Sequence, residues 1–112
     1  MITDYQHPQL FNMIQPRGSN TPGDFQAVFR FRNGYGASVI QNGTSYGGDS
    51  GLYELAVIRY MSGDDNDWEL CYDTPLTGDV LGRLSSDRVE EILNDVAVLP
   101  PDAKALAGAM LC

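Results

Sequence analysis

The fold is decided by residues 25–41, which read FQAVFRFRNGYGASVIQ. Asn33 and Gly34 separate two runs of alternating apolar and polar residues, and such an Asn-Gly pair is the strongest short-range signal of a β-hairpin. One face of the first run is apolar: it carries Phe25, Ala27, Phe29 and Phe31. Because successive strand residues point to opposite faces, this phenylalanine face is predicted to be core and the domain to be built on an antiparallel sheet.

Two further strands extend the predicted hairpin. Residues 52–60 are apolar on both faces, which favours a strand in the middle of the sheet. After a polar turn, residues 68–72 form the next strand. Strands that follow each other in sequence usually pair, so we expect four strands in meander order. Residues 76–83 are predicted to hold one short helical turn.

An amphipathic helix is predicted from Ser85 onward, because Ser85 is a good N-cap and Pro100 and Pro101 end the pattern. Apolar residues recur along it at spacings of three and four, at Val89, Ile92, Leu93, Val96 and Leu99. This stripe must bury against an apolar surface, and the phenylalanine face is available. The predicted fold is therefore α+β, a four-stranded antiparallel meander sheet with a C-terminal amphipathic helix packed on one face.

The chain divides into three predicted parts. Residues 1–24 contain Pro8, Pro16 and Pro22 and form an N-terminal arm, which docks on its own sheet, forms one helical turn or reaches a partner. Residues 25–100 form the single α+β domain. Residues 101–112 form a C-terminal tail or a short helix.

The chain is strongly acidic, with a formal net charge of −8. This charge repels nucleic-acid backbones and anionic lipids, so we expect no direct nucleic-acid partner, no membrane association, and a partner protein with a basic surface. The charge serves either solubility alone or mimicry of a phosphate backbone. No apolar run reaches the roughly 20 residues that span a bilayer, and residues 1–7 do not resemble a secretory signal. An intracellular, soluble protein is expected.

No complete catalytic set is present in the sequence. Residues 48–51, GDSG, resemble a serine-protease nucleophile motif, but the only histidine that could act as its base is His7 in the arm. Residues 43–48 are rich in glycine but lack the lysine of a phosphate-binding loop. Residues 64–69 cluster carboxylates, but they lack the glycine and glutamate positions of a calcium loop, and a solvated turn is expected there. No enzymatic activity, cofactor or metal is predicted.

Four short motifs distinguish this chain: NGYGASV at 33–39, YGG at 46–48, GLYELAV at 51–57 and YDTP at 72–75. With these motifs the chain resembles a group of small acidic proteins encoded by bacteriophages and prophages, over about residues 29–99. That group carries no assigned activity, so the resemblance transfers no site residue. It implies a phage protein acting in the host bacterial cytoplasm, where small acidic phage proteins often inhibit or adapt host machinery, including defence nucleases, and some imitate DNA.

The leading hypothesis is a phage-encoded, non-enzymatic binding protein that acts on a host protein, as an inhibitor of a defence or nucleic-acid-handling complex, through an acidic surface. Acidic residues would steer the encounter and a tyrosine would anchor it. The predicted binding residues are Asp64, Asp65, Asp67 and Glu69 on the turn, Glu90, Glu91 and Asp95 on the helix, and Tyr46 in the glycine-rich loop. The alternative is a structural or assembly component of a virion, or a homo-oligomer joined through strand edges or the arm.

Overall fold

The computed structural model describes residues 2–15, 20–21, 24–42, 52–71 and 81–100. Strand alternation and one amphipathic helical stripe account for most of its secondary-structure elements. The chain begins with a 3₁₀ turn at Ile2–Asp4. The strands and the helix are β1 (Leu10–Ile14), β2 (Asn20–Thr21), β3 (Asp24–Phe31), β4 (Tyr35–Asn42), β5 (Tyr53–Tyr60), β6 (Trp68–Leu70), β7 (Leu81–Leu84) and α1 (Ser86–Ala97).

The predicted hairpin is confirmed. β3 and β4 pair antiparallel, with Phe29 opposite Ala37 and Ala27 opposite Val39. Gly34 in the connecting turn has a φ of 90°, a conformation that glycine adopts without steric cost. β5 pairs with β4 along one edge and with β6 and β7 along the other, so the interior position predicted for this strand is also confirmed.

The prediction of exactly four strands is wrong, although the sheet is antiparallel as expected. The sheet runs in the order β1-β3-β4-β5-β6, with β2 paired to β3 and β7 paired to β5. Both β1 and β7 pair irregularly, with register shifts after Leu10 and next to Leu55. A bulge breaks the strict alternation by which a strand is recognised in sequence. In β7, Arg83 also has a φ of 57°. Of the segment 76–83, for which a helical turn is expected, residues 81–83 are strand, and residues 76–80 lie outside the described residues.

The N-terminal residues belong to the same core as the sheet. Leu10 and Met13 of β1 lie opposite Phe31 and Phe29 and pack against the core. Upstream, Ile2 and Tyr5 are themselves buried core residues, and the Tyr5 ring meets both phenylalanine rings edge to face. Of the alternatives left open for the arm, residues 2–15 combine docking on the sheet with one helical turn. The tail predicted at 101–112 lies outside the described residues.

The phenylalanine face and α1 form the main core, as predicted. The sheet contributes Ala27, Phe29, Phe31, Ala37, Val39, Leu55 and Val57, and the helix contributes Val89, Ile92, Leu93, Val96 and Ala97. Fully burying one such aliphatic or aromatic side chain stabilises the folded state by about 1.5–3 kcal/mol. The Ser85 hydroxyl accepts a hydrogen bond from the Arg88 backbone N–H and so caps the helix start, as its sequence predicts.

Asn33 fixes the other end of the helix. The buried side-chain amide Nδ2 donates to the carbonyls of Val96 at 2.8 Å and Leu99 at 3.1 Å. The Asn33 Oδ1 in turn accepts from the Tyr35 backbone N–H at 3.0 Å. Because the last turn of α1 contains no basic residue, this amide is its side-chain cap. The hairpin turn therefore binds the helix end as well as joining two strands.

Candidate functional site

The carboxylates predicted to bind a partner fall on opposite sides of the sheet. On β3, Arg30 alternates with Phe29 and therefore points away from the helix, to what we call the open face. Asp65 in the β5–β6 turn pairs with Arg30 on that face, at 2.8 Å. The helix carboxylates lie on the layer that covers the other face. The structure therefore does not bring Asp65 together with Glu90, Glu91 and Asp95 on one surface.

Arg30 holds the β5–β6 turn against the open face. Its guanidinium donates to the carbonyl oxygens of Ser62 at 2.8 Å and Gly63 at 3.1 Å, in addition to Asp65. It also stacks over the Tyr60 ring, 4.4 Å from the centroid. With 9% of its surface exposed, Arg30 is buried despite its charge. Such a charge is tolerated because it is paired and hydrogen-bonded.

The predicted solvated turn at 64–67 is a turn, but two of its carboxylates have internal partners. Asp64 Oδ1 accepts from the Asn66 backbone N–H at 2.8 Å, a local bond that is typical of aspartate in turns. Asp65 Oδ2 accepts from the Asn12 side chain at 2.9 Å, besides the bond from Arg30. Asp67 is exposed. Asp65 therefore stabilises the turn whether or not it meets a partner.

Glu69 lies on β6 opposite Arg59 of β5, and their side chains are 3.4 Å apart. The Glu69 side chain is 54% exposed, whereas that of Arg59 is only 9% exposed. An ion pair with one solvated partner at this distance contributes little to stability. Glu69 is therefore accessible but already pairs with a cation of its own chain.

The helix carboxylates, together with Asp67, are the least engaged of the predicted residues. Glu91 is exposed and pairs weakly with Arg88, at 3.4 Å on the same helix. Asp95 is exposed and Glu90 is half-buried, and within the described part of the chain neither forms an ion pair. Asp87 adds a further exposed carboxylate in the first turn. The outer side of α1 is therefore an acidic surface that has few compensating cations.

The structure describes some, but not all, of the other residues that the sequence singles out. Tyr46 and the GDSG motif lie outside the described residues. His7 accepts a hydrogen bond at Nδ1 from the Gln9 backbone N–H, and its ring stacks on Tyr5.

Among the residues that the structure describes, no three His, Cys, Asp or Glu side chains are grouped so that they could hold a metal ion. Within the same residues, no helix has the length and apolar character to cross a membrane.

Two buried tyrosines titrate far from their ordinary value. Burial raises the pKa of Tyr60 to about 12, an effect that Asp65 reinforces and Arg30 opposes. Burial, together with the Glu90 carboxylate, raises the pKa of Tyr5 to about 12. The Tyr5 hydroxyl donates to Asn94 Oδ1 at 2.8 Å and so links the N-terminal turn to the helix. Ionisation of this hydroxyl would remove the bond and leave a charge beside the core.

Stability is expected to fall between pH 10 and pH 12. In the folded protein each of these two tyrosines has a pKa above its ordinary value of 10.0. Between pH 10 and pH 12 the folded state therefore retains protons that the unfolded chain releases. The stabilisation is complete below pH 10 and disappears as the pH rises through the folded pKa. Urea unfolding at pH 8, 10 and 11 measures this loss. The double variant Tyr5→Phe/Tyr60→Phe should lose less stability over the same interval, and an equally steep loss in that variant would contradict the assignment.

Comparisons of the chain with protein-family models, with curated proteins and with solved structures found no match.

Proposed function

We propose that this chain is a non-enzymatic binding protein that recognises a basic surface on another protein through the outer face of α1. The observation that carries the proposal is the unequal engagement of its carboxylates. Asp65 and Glu69 form ion pairs within the chain and Asp64 accepts a backbone hydrogen bond, whereas Glu90 and Asp95 on the helix, like Asp67 on the turn, form no ion pair with any described residue. A rigid helix that presents uncompensated charge is suited to steering a positively charged partner into contact.

The setting of this function comes from the sequence resemblance. If the chain is a phage or prophage protein, its partner is a protein of the host bacterium, and a defence or nucleic-acid-handling complex has the basic surface required. Inhibition would follow if the acidic helix occupied the site that normally binds nucleic acid. In this proposal Tyr46 would anchor the contact and the protein would act in the host cytoplasm.

Neutralising the helix carboxylates is expected to slow this recognition without unfolding the protein. The variant Glu90→Gln/Glu91→Gln/Asp95→Asn removes three exposed or half-exposed charges, so its urea midpoint should stay close to wild type. At low ionic strength its association rate with the target should fall about tenfold. Affinity capture from bacterial lysate, followed by mass spectrometry, identifies the target, and stopped-flow mixing measures the rate.

The matched control is Asp64→Asn/Asp67→Asn/Glu69→Gln, which removes the same amount of charge from the β5–β6 turn and β6. It should associate with the target at close to the wild-type rate, whereas the helix variant should not. Equal loss in both variants would show that net charge alone matters, and an association rate that is indifferent to salt would contradict electrostatic steering.

A second candidate function is assembly into a homo-oligomer, and one observation favours it. β1 lies at the end of the sheet order, pairs within the described residues only with β3, and contains neither a charged residue nor a proline. Its Phe11 side chain is 54% exposed. An uncharged edge strand of this kind is a template for pairing with another chain. Light scattering distinguishes the candidates, because a stable oligomer supports assembly and a monomer supports the binder.

A further inference from the structure

The open face of the sheet contains a depression of about 160 Å³ beside the β5–β6 turn. Its lining residues are Ile14, Gln26, Val28, Asp65, Asn66 and Trp68. Three of them supply apolar walls, and Trp68 packs with Val28 in a small cluster on this face. The other three, Gln26, Asp65 and Asn66, have side-chain oxygens. Apolar walls with a few convergent polar groups are typical of a ligand site.

The charge around this depression favours a cation. Asp65 uses one oxygen for Arg30 and the other for Asn12, but each carboxylate oxygen has two lone pairs and the side chain is 32% exposed. Asp64 and Asp67 lie on the same turn as Asp65. Among the described residues, Arg30 is the cation that pairs with Asp65. Arg30 itself is committed to three oxygens of the turn, so it is not free to receive an anion. An indole wall also attracts a cation placed over its face.

A second depression, of about 260 Å³, adjoins the first, since Gln26 lines both. The aliphatic side chains of Ile40, Ala56 and Leu70 form most of its remaining lining, and the polar side chains of Ser38 and Glu54 complete it. Leu70 is 47% exposed, although it is large and apolar. A ligand that filled both depressions would present a cation on an aliphatic stem and, close to it, an uncharged aliphatic group. Neighbouring side chains of a protein segment have this combination, and a simple organic cation does not.

We propose that the depression beside Trp68 binds an arginine or lysine side chain of a partner protein. The aliphatic stem packs against Ile14 and Val28, the cation reaches Asp65, and an adjoining aliphatic residue of the partner enters the second depression. The inference rests on the proposed function in that the partner is a protein with a basic surface. It concerns the face opposite α1, so its test is separate from that of the helix.

Trp68 is the only tryptophan in the chain, so the fluorescence of its indole reports directly on the site. The probe is the peptide acetyl-Leu-Ala-Arg-amide, and the matched probe replaces its arginine by the neutral isostere citrulline. We expect a saturable fluorescence change with the arginine peptide and affinity at least about tenfold lower for the citrulline peptide. Free n-butylguanidinium should also bind more weakly, because it cannot fill the second depression.

Three variants locate the binding. Asp65→Asn should weaken the arginine peptide by at least about tenfold, whereas Glu69→Gln, which removes the same charge outside the depression, should not. Because Asp65→Asn also weakens the hold of Arg30 on the turn, Ile14→Phe provides a second test: it fills the depression, changes no charge and should block binding. Circular dichroism verifies that each variant is folded.

Several outcomes would overturn the proposal: equal binding of the arginine and citrulline peptides, equal effects of Asp65→Asn and Glu69→Gln, or unchanged binding to Ile14→Phe. If n-butylguanidinium binds as tightly as the peptide, the site takes a free cation and the protein segment is excluded. The helix variant should bind the peptide as wild type does. Failure of the peptide titration therefore leaves the proposed function of α1 standing, and failure of lysate capture leaves the peptide result unchanged.

Discussion

Replacing Asn33 by aspartate is expected to destabilise the protein by about 3 kcal/mol or more at pH 7, although the two side chains have nearly the same shape. The amide Nδ2 donates to the Val96 and Leu99 carbonyls, and the Ala97 carbonyl lies 3.4 Å away. An ionised carboxylate has no hydrogen to donate, so these contacts become repulsive. The substitution also places a negative charge at the C-terminal end of a helix, where the macrodipole is negative.

The charge component of this effect has a pH dependence of known sign. Carbonyl oxygens and burial both disfavour the ionised form, so the pKa of the introduced carboxyl rises on folding. The protonated form can donate one hydrogen bond. The penalty should therefore be smallest below the ordinary aspartate pKa of about 3.9 and should grow as the pH rises through the folded value.

Urea unfolding of Asn33→Asp and Asn33→Ala at pH 4 and pH 7 separates the cost of the lost hydrogen bonds from the cost of the added charge. The alanine variant loses the hydrogen bonds that Nδ2 donates, and also the one that Oδ1 accepts from the Tyr35 N–H, without adding a charge, so it should cost about 2 kcal/mol at both pH values. The two variants should differ mainly at pH 7. Equal destabilisation by aspartate and alanine at pH 7 would show that the helix end does not sense the charge at this position.

The dual role of Asn33 illustrates what the sequence can predict. The Asn-Gly pair identifies the turn because its φ requirement is local and is visible in two neighbouring residues. The contact of the same side chain with Val96 joins residues 63 positions apart. No periodicity encodes such a contact. The sequence therefore predicts that α1 packs on the phenylalanine face, but not which atoms fix the end of the helix.

The burial of Arg30 cannot be predicted from the sequence for a related reason. It alternates with phenylalanines, and a charged residue on the polar side of a strand normally indicates a solvated face. Its burial depends on the β5–β6 turn folding back over the sheet, through Asp65 35 positions further along. The acidic cluster was visible in sequence, but the division between carboxylates used internally and carboxylates left on α1 required the three-dimensional arrangement.

The open face is therefore asymmetric, and this asymmetry supports the two proposed binding surfaces. At one end Val28, Ile58 and Tyr60 form a minor cluster of buried residues, against which Trp68 packs. At the other end Gln26, Ile40 and Leu70 surround an open depression. A partner side chain would add to the cluster rather than compete with it. The acidic helix would act at long range, and this face would act at contact distance.

The minor cluster depends on a glycine, and Gly36→Ala is expected to destabilise the protein by about 3 kcal/mol. A Cβ at Gly36 would overlap the Phe29 carbonyl oxygen and approach Tyr60 Cε2 to 2.9 Å. The carbonyl belongs to the neighbouring strand, so it cannot move without disturbing the β3–β4 pairing. The ring supports the guanidinium of Arg30. Its displacement should release the turn that Arg30 holds.

Two measurements test this chain of contacts. Urea unfolding gives the stability, and amide hydrogen exchange should show faster exchange at residues 61–67 in Gly36→Ala than in wild type. In the double variant Gly36→Ala/Tyr60→Leu the loss should be less than additive, because a smaller side chain at position 60 removes one of the obstructions to the new Cβ. The overlap with the Phe29 carbonyl persists in that background, so recovery should be incomplete. Additive losses together with unchanged exchange in the turn would show that Gly36 does not support Arg30 through the ring.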